Sequence, residues 1–110
     1  MPTHKLTVDA DRYDELQPSF VGQLIESTKR HLEEAGLSGE QLKDLCGSIV
    51  FSACTLIDNS ASFEVEGKDY STHLAFEVEE GSLIYPGGNS YLHEYVFGVL
   101  DELFQGTSDA

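Results

Sequence analysis

Apolar residues recur at steps of three and four along residues 38–60, and this is the clearest helical pattern in the chain. The repeating positions are Leu42, Leu45, Cys46, Ile49, Val50, Ala53, Leu56 and Ile57. Such spacing places them on one face of an α-helix. Ser38, followed three residues later by Gln41, has the pattern of a capping box at a helix start. The sequence therefore predicts a core helix that stops near Asp58, where turn-forming residues begin.

A second helix is predicted before the core helix, from about Ser19 to Ala35. Pro18 suits its first turn, where the missing N–H is not needed, and Gly36 suits the left-handed position that closes it. Residues 9–16 contain few apolar positions. They are predicted to form a turn, or a single helical turn that Pro18 ends or redirects.

A third helix is predicted after residue 90, with apolar residues at helical spacing from Leu92 to Phe104. Gly98 stands in its middle, and glycine weakens a helix by roughly 1 kcal/mol relative to alanine. We therefore expect Gly98 to pack closely against the small residues of the core helix.

Between these helices the period changes from near four to two, which is typical of β-strands. Alternation in residues 62–66, 70–79 and 82–85, with turns at Gly67-Lys68 and Glu80-Gly81, predicts a three-stranded antiparallel meander. In this register Val65 lies opposite Tyr70, and Phe76 lies opposite Tyr85. Residues 4–8 also alternate and are compatible with a further short edge strand.

These elements predict an α+β fold in the order (β)-α-α-β-β-β-α. Three helices are expected to pack on one face of a three- to four-stranded antiparallel sheet, in two layers. The length of 110 residues is sufficient for one domain with its own core, so a single domain over residues 1–110 is expected. Residues 1–3 and 106–110 are expected to fray.

The spacing of the cysteines and the length of the apolar stretches indicate the cellular compartment. Cys46 and Cys54 lie eight residues apart on the core helix, about 12 Å at 1.5 Å per residue, which is too far for a disulfide. Two buried thiols fit a reducing compartment. The sequence shows no basic start followed by an apolar run and a small-residue cleavage site, which a secretory signal peptide would have. It also contains no apolar stretch long enough to span a membrane. A cytoplasmic protein without membrane association is expected.

Charge is the strongest departure from average composition, since 20 acids and six bases give a net charge of −14. Residues 1–68 contain all six bases and 12 acids, a net charge of −6. Residues 69–110 contain eight acids and no base, a net charge of −8. Nucleic-acid binding is not expected, because phosphate contacts depend on Lys and Arg. Basic partners, cations and simple solubility all remain open as reasons for this charge.

The predicted register gathers acidic side chains on the face of the sheet away from the helices, with little lysine among them. Like charges on neighbouring strands destabilise a sheet, so such a face favours docking of a basic partner. For this face taken alone, the sequence slightly favours the other interpretation, a solvated face in a chain selected for acidity. The predicted partner-binding residues are Glu64, Glu66, His73, Glu77, Glu79 and Ile84.

Local motifs of enzymes and cofactor sites are missing from the sequence. The loop from Gly87 to Ser90 has neither of the phosphate-binding glycine spacings, and His93-Glu94 lacks the second histidine of the zinc-protease pattern because Phe97 stands there. Histidines and cysteines show no spacing that gives three local metal ligands. No catalytic residue, metal or cofactor is assigned.

Two functional hypotheses follow. The preferred one is a small acidic interaction or inhibitor module, without catalysis, that binds a basic protein partner. The alternative is a small enzyme or cation-binding protein with a site near Asp58, His73, His93 and Glu94, and it requires these side chains to converge. A homodimer is compatible with either, through the sheet edge at Ser82–Tyr85 or through exposed aromatic residues of the last helix.

Overall fold

Three helices and two small sheets make up the described part of the chain. The computed structural model describes residues 5–59 and 62–105, so the expected fraying at residues 1–3 and 106–110 lies outside it. The elements are β1 (Lys5–Val8), α1 (Ala10–Glu34), α2 (Gly39–Ile57), β2 (Phe63–Val65), β3 (Lys68–Tyr70), β4 (Phe76–Glu79), β5 (Ser82–Tyr85) and α3 (Leu92–Leu103). The predicted α+β class is confirmed.

Helix α1 is longer than predicted, because it begins at Ala10 and passes through Pro18. The Asp9 carboxylate caps its start by accepting a hydrogen bond from the Arg12 backbone N–H at 3.2 Å. The prediction that Pro18 ends a turn over residues 9–16 is wrong. Proline costs a helix interior about 3 kcal/mol, but the first turns are anchored by Tyr13 and Gln17, which are buried.

Helix α2 has nearly the predicted bounds, with Ser38 as its N-cap and Asp58 as its C-cap. The Ser38 side chain makes no capping hydrogen bond, so the predicted capping box is absent from this helix start. Gly36 has a φ of 97°, and this confirms the left-handed close of α1.

The helices pack around one apolar core, and α2 and α3 approach most closely at Gly47. A Cβ on Gly47 would lie 2.7 Å from the Leu100 side chain. Gly98 is exposed, and a Cβ there would meet nothing within 4 Å, so the prediction that it packs against α2 is wrong. The buried members of the core are Val21, Ile25, Leu42, Cys46, Val50, Cys54, Leu92, Val96, Leu100 and Phe104.

The larger sheet is mixed and has the strand order β1-β5-β4, with β1 parallel and β4 antiparallel to β5. Ser82–Tyr85 is therefore its central strand, which rules out the dimer hypothesis that used it as a free edge. Phe76 lies opposite Ile84 and not Tyr85, because the pairing is irregular between Glu77 and Glu79. The Phe76 ring packs 4.8 Å from that of Tyr13, so this face of the sheet contacts α1.

The strands β2 and β3 form a separate hairpin, so the predicted meander is divided. Its turn is Glu66-Gly67, with φ of 53° and 81°, one residue earlier than predicted. Positive φ at both central residues is characteristic of a type I′ turn, and glycine tolerates it well. Phe63 consequently lies opposite Tyr70, and the predicted Val65–Tyr70 pairing is wrong.

Candidate functional site

Asp58, at the end of α2, is the centre of a buried polar cluster and is 1% exposed. Its Oδ2 accepts the His93 backbone N–H at 2.8 Å and lies 2.7 Å from His93 Nδ1. Its Oδ1 accepts a hydrogen bond from the Ser90 hydroxyl. Since an ionised carboxylate only accepts, Nδ1 is the protonated ring nitrogen. Because Ser90 and His93 stand at the start of α3, Asp58 joins the end of α2 to that start.

Gln17 and Tyr13 reach the same region from α1. Gln17 Oε1 accepts the Tyr91 backbone N–H at 2.7 Å, and Gln17 Nε2 donates to Asp14 Oδ1 at 2.9 Å. The first N–H groups of a helix have no partner within it. The N-cap residue Tyr91 makes no side-chain capping hydrogen bond. Gln17 of α1 and Asp58 at the end of α2 accept the N–H groups at the start of α3 instead.

The Tyr13 hydroxyl lies beside this cluster and donates to the Leu74 carbonyl at 2.8 Å. Burial raises the pKa of Tyr13, the neighbouring Ser90 side chain opposes that rise, and the Asp58 carboxylate adds to it. The tyrosine is thus held in its neutral, donating form. It links α1 to the segment that precedes β4.

The cluster contains the residue types of a Ser-His-Asp triad but not its hydrogen bonds. In a triad the serine hydroxyl donates to the histidine, whereas Ser90 donates to Asp58 and is only 3% exposed. The His93 side chain is 22% exposed and meets the Phe51 ring edge to face at 5.9 Å. The arrangement is suited to anchoring a helix and not to presenting a nucleophile.

The enzyme or cation-binding hypothesis required four side chains to converge, and the structure brings two of them together. Asp58 and His93 meet, whereas Glu94 is exposed on α3. His73 lies in a groove of the larger sheet with Leu6 and Tyr85. Within residues 5–59 and 62–105, no group of three or more His, Cys, Asp or Glu residues is placed to hold a metal ion.

The predicted partner-binding residues do not share one face. Glu64 and Glu66 belong to the hairpin and its turn, whereas Glu77 and Glu79 lie on β4 of the other sheet. Placing Ile84 on the exposed face was wrong, since it is 5% exposed and lies opposite Phe76. The irregular pairing in β4 shifts the register by one residue, and a one-residue shift exchanges the two faces of a strand.

Glu77 also has a structural contact, because its Oε2 accepts the Gly81 backbone N–H at 2.8 Å. This hydrogen bond closes the turn between β4 and β5. Of the four predicted glutamates, Glu64 and Glu66 are thus the two that lie together, on the hairpin and its turn.

The β2–β3 hairpin has all six of its strand residues exposed. On one side the rings of Phe63 and Tyr70 stack at 5.9 Å, and the Lys68 ammonium lies 5.5 Å from the Tyr70 ring centre. On the other side Glu64 lies directly opposite Asp69. The hairpin thus combines an apolar side with an acidic side.

Sequence reasoning did not find Tyr13, Gln17 or Ser90 as members of the buried cluster. A signal for the first two was present: Tyr13, Gln17, Val21 and Ile25 follow at four-residue steps, which continues the helical period through Pro18. Ser90 had no such signal, since its partner Asp58 lies 32 residues earlier in the chain.

Comparison of the chain with models of protein families, with curated proteins and with solved structures gives no match. In the described ranges, the helices are all too short or too polar to cross a membrane. A function has to be inferred from the residues of the buried cluster and of the hairpin.

Proposed function

We propose that the protein is a non-catalytic interaction or inhibitor module whose β2–β3 hairpin binds a basic protein partner. The observation that carries this proposal is the cross-strand pair of Glu64 and Asp69 on a hairpin whose six strand residues are all exposed. Like charges directly opposite one another destabilise a hairpin. A lysine or arginine of the partner, placed between the two carboxylates, would remove that repulsion.

The apolar side of the hairpin supports the same proposal. Phe63, Val65 and Tyr70 are 48%, 50% and 42% exposed. Aromatic residues are enriched among the residues that dominate protein interfaces. A hairpin with three residues in each strand is only marginally stable alone, so a partner that covers it would also stabilise it.

The charge distribution favours a basic partner. In the described part of the chain, Lys43 lies 2.9 Å from Asp101, Lys29 covers the Phe104 ring, and Lys68 covers the Tyr70 ring, so these bases already have partners within the chain. The net charge of −14 attracts a basic protein and repels nucleic acid. The two free, buried cysteines fit a cytoplasmic protein, which is part of the proposal.

Charge-neutral variants of the hairpin test this proposal. The chain is immobilised, a partner is captured from a cell extract and identified, and its Kd is then measured with purified proteins. The double variant Glu64→Gln plus Asp69→Asn is expected to weaken binding at least about tenfold. Raising salt from about 50 to 500 mM is expected to weaken wild-type binding similarly.

The matched control is Glu26→Gln plus Glu33→Gln, which removes the same charge from exposed positions of α1. It should change the Kd by less than about twofold, because both side chains belong to α1 and not to the hairpin. Equal losses in both double variants, or a captured partner that is not basic, would contradict the proposal.

The substitution Asp69→Lys separates binding from folding. It replaces the like-charge pair with an opposite-charge pair, so the hairpin should gain about 0.2–1 kcal/mol. Hydrogen exchange of the amides in residues 63–70 would report this gain. Binding of the basic partner should fall in the same variant. If binding and hairpin stability fall together, the acids have a structural role instead.

A further inference from the structure

Away from the hairpin, α2 exposes to solvent a row of mostly apolar residues with the spacing of a helix–helix contact. We call this the α2 seam and define it as Leu45, Ile49, Ser52 and Leu56. These residues follow one another at steps of four, three and four, which is the a/d spacing of packed helices. Leu45, Ile49 and Leu56 are 41%, 42% and 51% exposed, and Ser52 is exposed as well.

Another side of α2 is already in the core through Cys46, Val50 and Cys54. The helix therefore has two apolar sides, of which the described part of the chain covers one. Large exposed apolar surfaces on small proteins mark interaction sites.

The helix segment that carries the α2 seam is also uncharged. From Leu45 to Ile57 there is no Asp, Glu, Lys, Arg or His, although 24% of the chain is charged. A basic partner gains no electrostatic attraction from this segment. Two copies that each carry a charge of −14 repel wherever their acids meet, and here they can approach without bringing acids together. The charge pattern thus favours a second copy as the occupant.

We propose that the α2 seam pairs in antiparallel orientation with the α2 seam of a second copy, about a two-fold axis between Val50 and Phe51. In this register Leu45 lies opposite Leu56 of the second copy, and Ile49 lies opposite Ser52. A two-fold interface must complement itself. The large residues meet at the ends of the contact, and the serines near its centre leave room for the isoleucines.

The mass of the purified chain in solution tests the dimer. Sedimentation equilibrium over about 5–500 µM should show a concentration-dependent shift from 12.1 kDa towards twice that mass. Added salt should strengthen the dimer, because it screens repulsion between the two acidic copies. Binding of a basic partner at the hairpin should respond to salt in the opposite direction, so failure of either proposal can be told from failure of the other.

The variant Ile49→Asp should weaken the dimer at least about tenfold, because it places one carboxylate from each copy in the apolar contact. The side chain is 42% exposed, so the fold should be kept, which circular dichroism and urea unfolding would verify. The control is Gln23→Asp, which adds the same charge at an exposed position of α1. It should leave the dimer within about twofold of wild type.

Cross-linking tests the register. Chains carrying Ile49→Cys and chains carrying Ser52→Cys are mixed and oxidised, and the proposed register predicts a disulfide between the two kinds of chain. Cys46 and Cys54 are 0% exposed, so the unmodified chain serves as the background control. A monomer at all concentrations, a dimer that Ile49→Asp leaves intact, or preferential linkage between two Ile49→Cys chains would overturn the proposal.

Discussion

Asp58 illustrates how one buried carboxylate can hold two helices in a fixed relation. It accepts from Ser90 and His93, which lie 32 and 35 residues later in the chain. The sequence indicates that Asp58 follows a core helix and belongs to a turn. It does not indicate the partners, because hydrogen bonds over such separations depend on how the helices pack.

Replacing Asp58 with alanine is expected to cost about 3–5 kcal/mol of unfolding free energy, because it leaves buried donors without an acceptor. Urea unfolding at pH 7 would measure this. Asp44→Ala, an exposed carboxylate on the same helix, should change stability by less than about 0.5 kcal/mol. A similar effect of both substitutions would show that the buried cluster does not stabilise the fold.

Cys54 gives the fold a dependence on alkaline pH. Burial raises the pKa of its thiol from 9.0 to about 11, and the Asp58 carboxylate adds to the rise. The unfolded chain loses this proton near pH 9, whereas the folded chain keeps it. The resulting stabilisation is complete below pH 9 and is lost as the pH rises to about 11, which amounts to about 2–3 kcal/mol.

Urea unfolding at pH 8, 9, 10 and 11 under reducing conditions would measure this loss. Cys54→Ala should have a lower stability at pH 8 but a shallower decline with pH. Burial also raises the pKa of Cys46, and that residue stays in both proteins, so it does not affect the comparison. Parallel declines in the two proteins would contradict the assignment to Cys54.

At the scale of elements, helices were predicted better than strands because their signal is local. The bounds of α2 and α3 follow from apolar residues three and four positions apart. The start of α1 was missed because Pro18 is usually a helix boundary, and only burial of Tyr13 and Gln17 overcomes it.

Strand pairing could be predicted only in part. Two-residue alternation located β2, β4 and β5, but a one-residue irregularity in β4 leaves the alternation in the sequence unchanged. The parallel pairing of β1 with β5 joins Lys5 to Ser82 across most of the chain. Nothing local in either strand specifies that contact.

The contact between α2 and α3 gives a matched pair of glycine substitutions. Gly47→Ala should destabilise the fold by about 1–3 kcal/mol through overpacking against Leu100, partly offset by better helix propensity. Gly98→Ala meets no atom within 4 Å and should stabilise the fold by about 0.5–1 kcal/mol. Thermal unfolding would measure both. Equal effects would mean that the helices do not approach at Gly47.

At the scale of the whole molecule, composition is the basis for proposing a basic partner, and it does not indicate where such a partner would bind. The charge of −14 is a property of the whole chain and gives no reason to choose one acidic surface over another. The radius of gyration is 16.2 Å, against about 13 Å for a compact domain of this length. The molecule is therefore extended, and the candidate surface belongs to a hairpin whose strand residues are all exposed.

Self-repulsion predicts that salt stabilises the folded chain. Raising sodium chloride from about 10 to 500 mM should raise the Tm by a few degrees, because compact states with large net charge are destabilised. Differential scanning calorimetry of the Ile49→Asp variant at low concentration would separate this effect from association. A Tm that stays constant or falls with salt would contradict it.

The capping of α3 by other helices has a consequence for the order of folding. Helix α3 has twelve residues, and a helix of that length is only marginally stable alone in water. At its start, the backbone N–H of Tyr91 is accepted by Gln17 from α1, and that of His93 by Asp58 at the end of α2. Helix α3 is therefore complete only after α1 and α2 have met. We expect low φ-values for substitutions in α3, so that they accelerate unfolding and leave the refolding rate nearly unchanged.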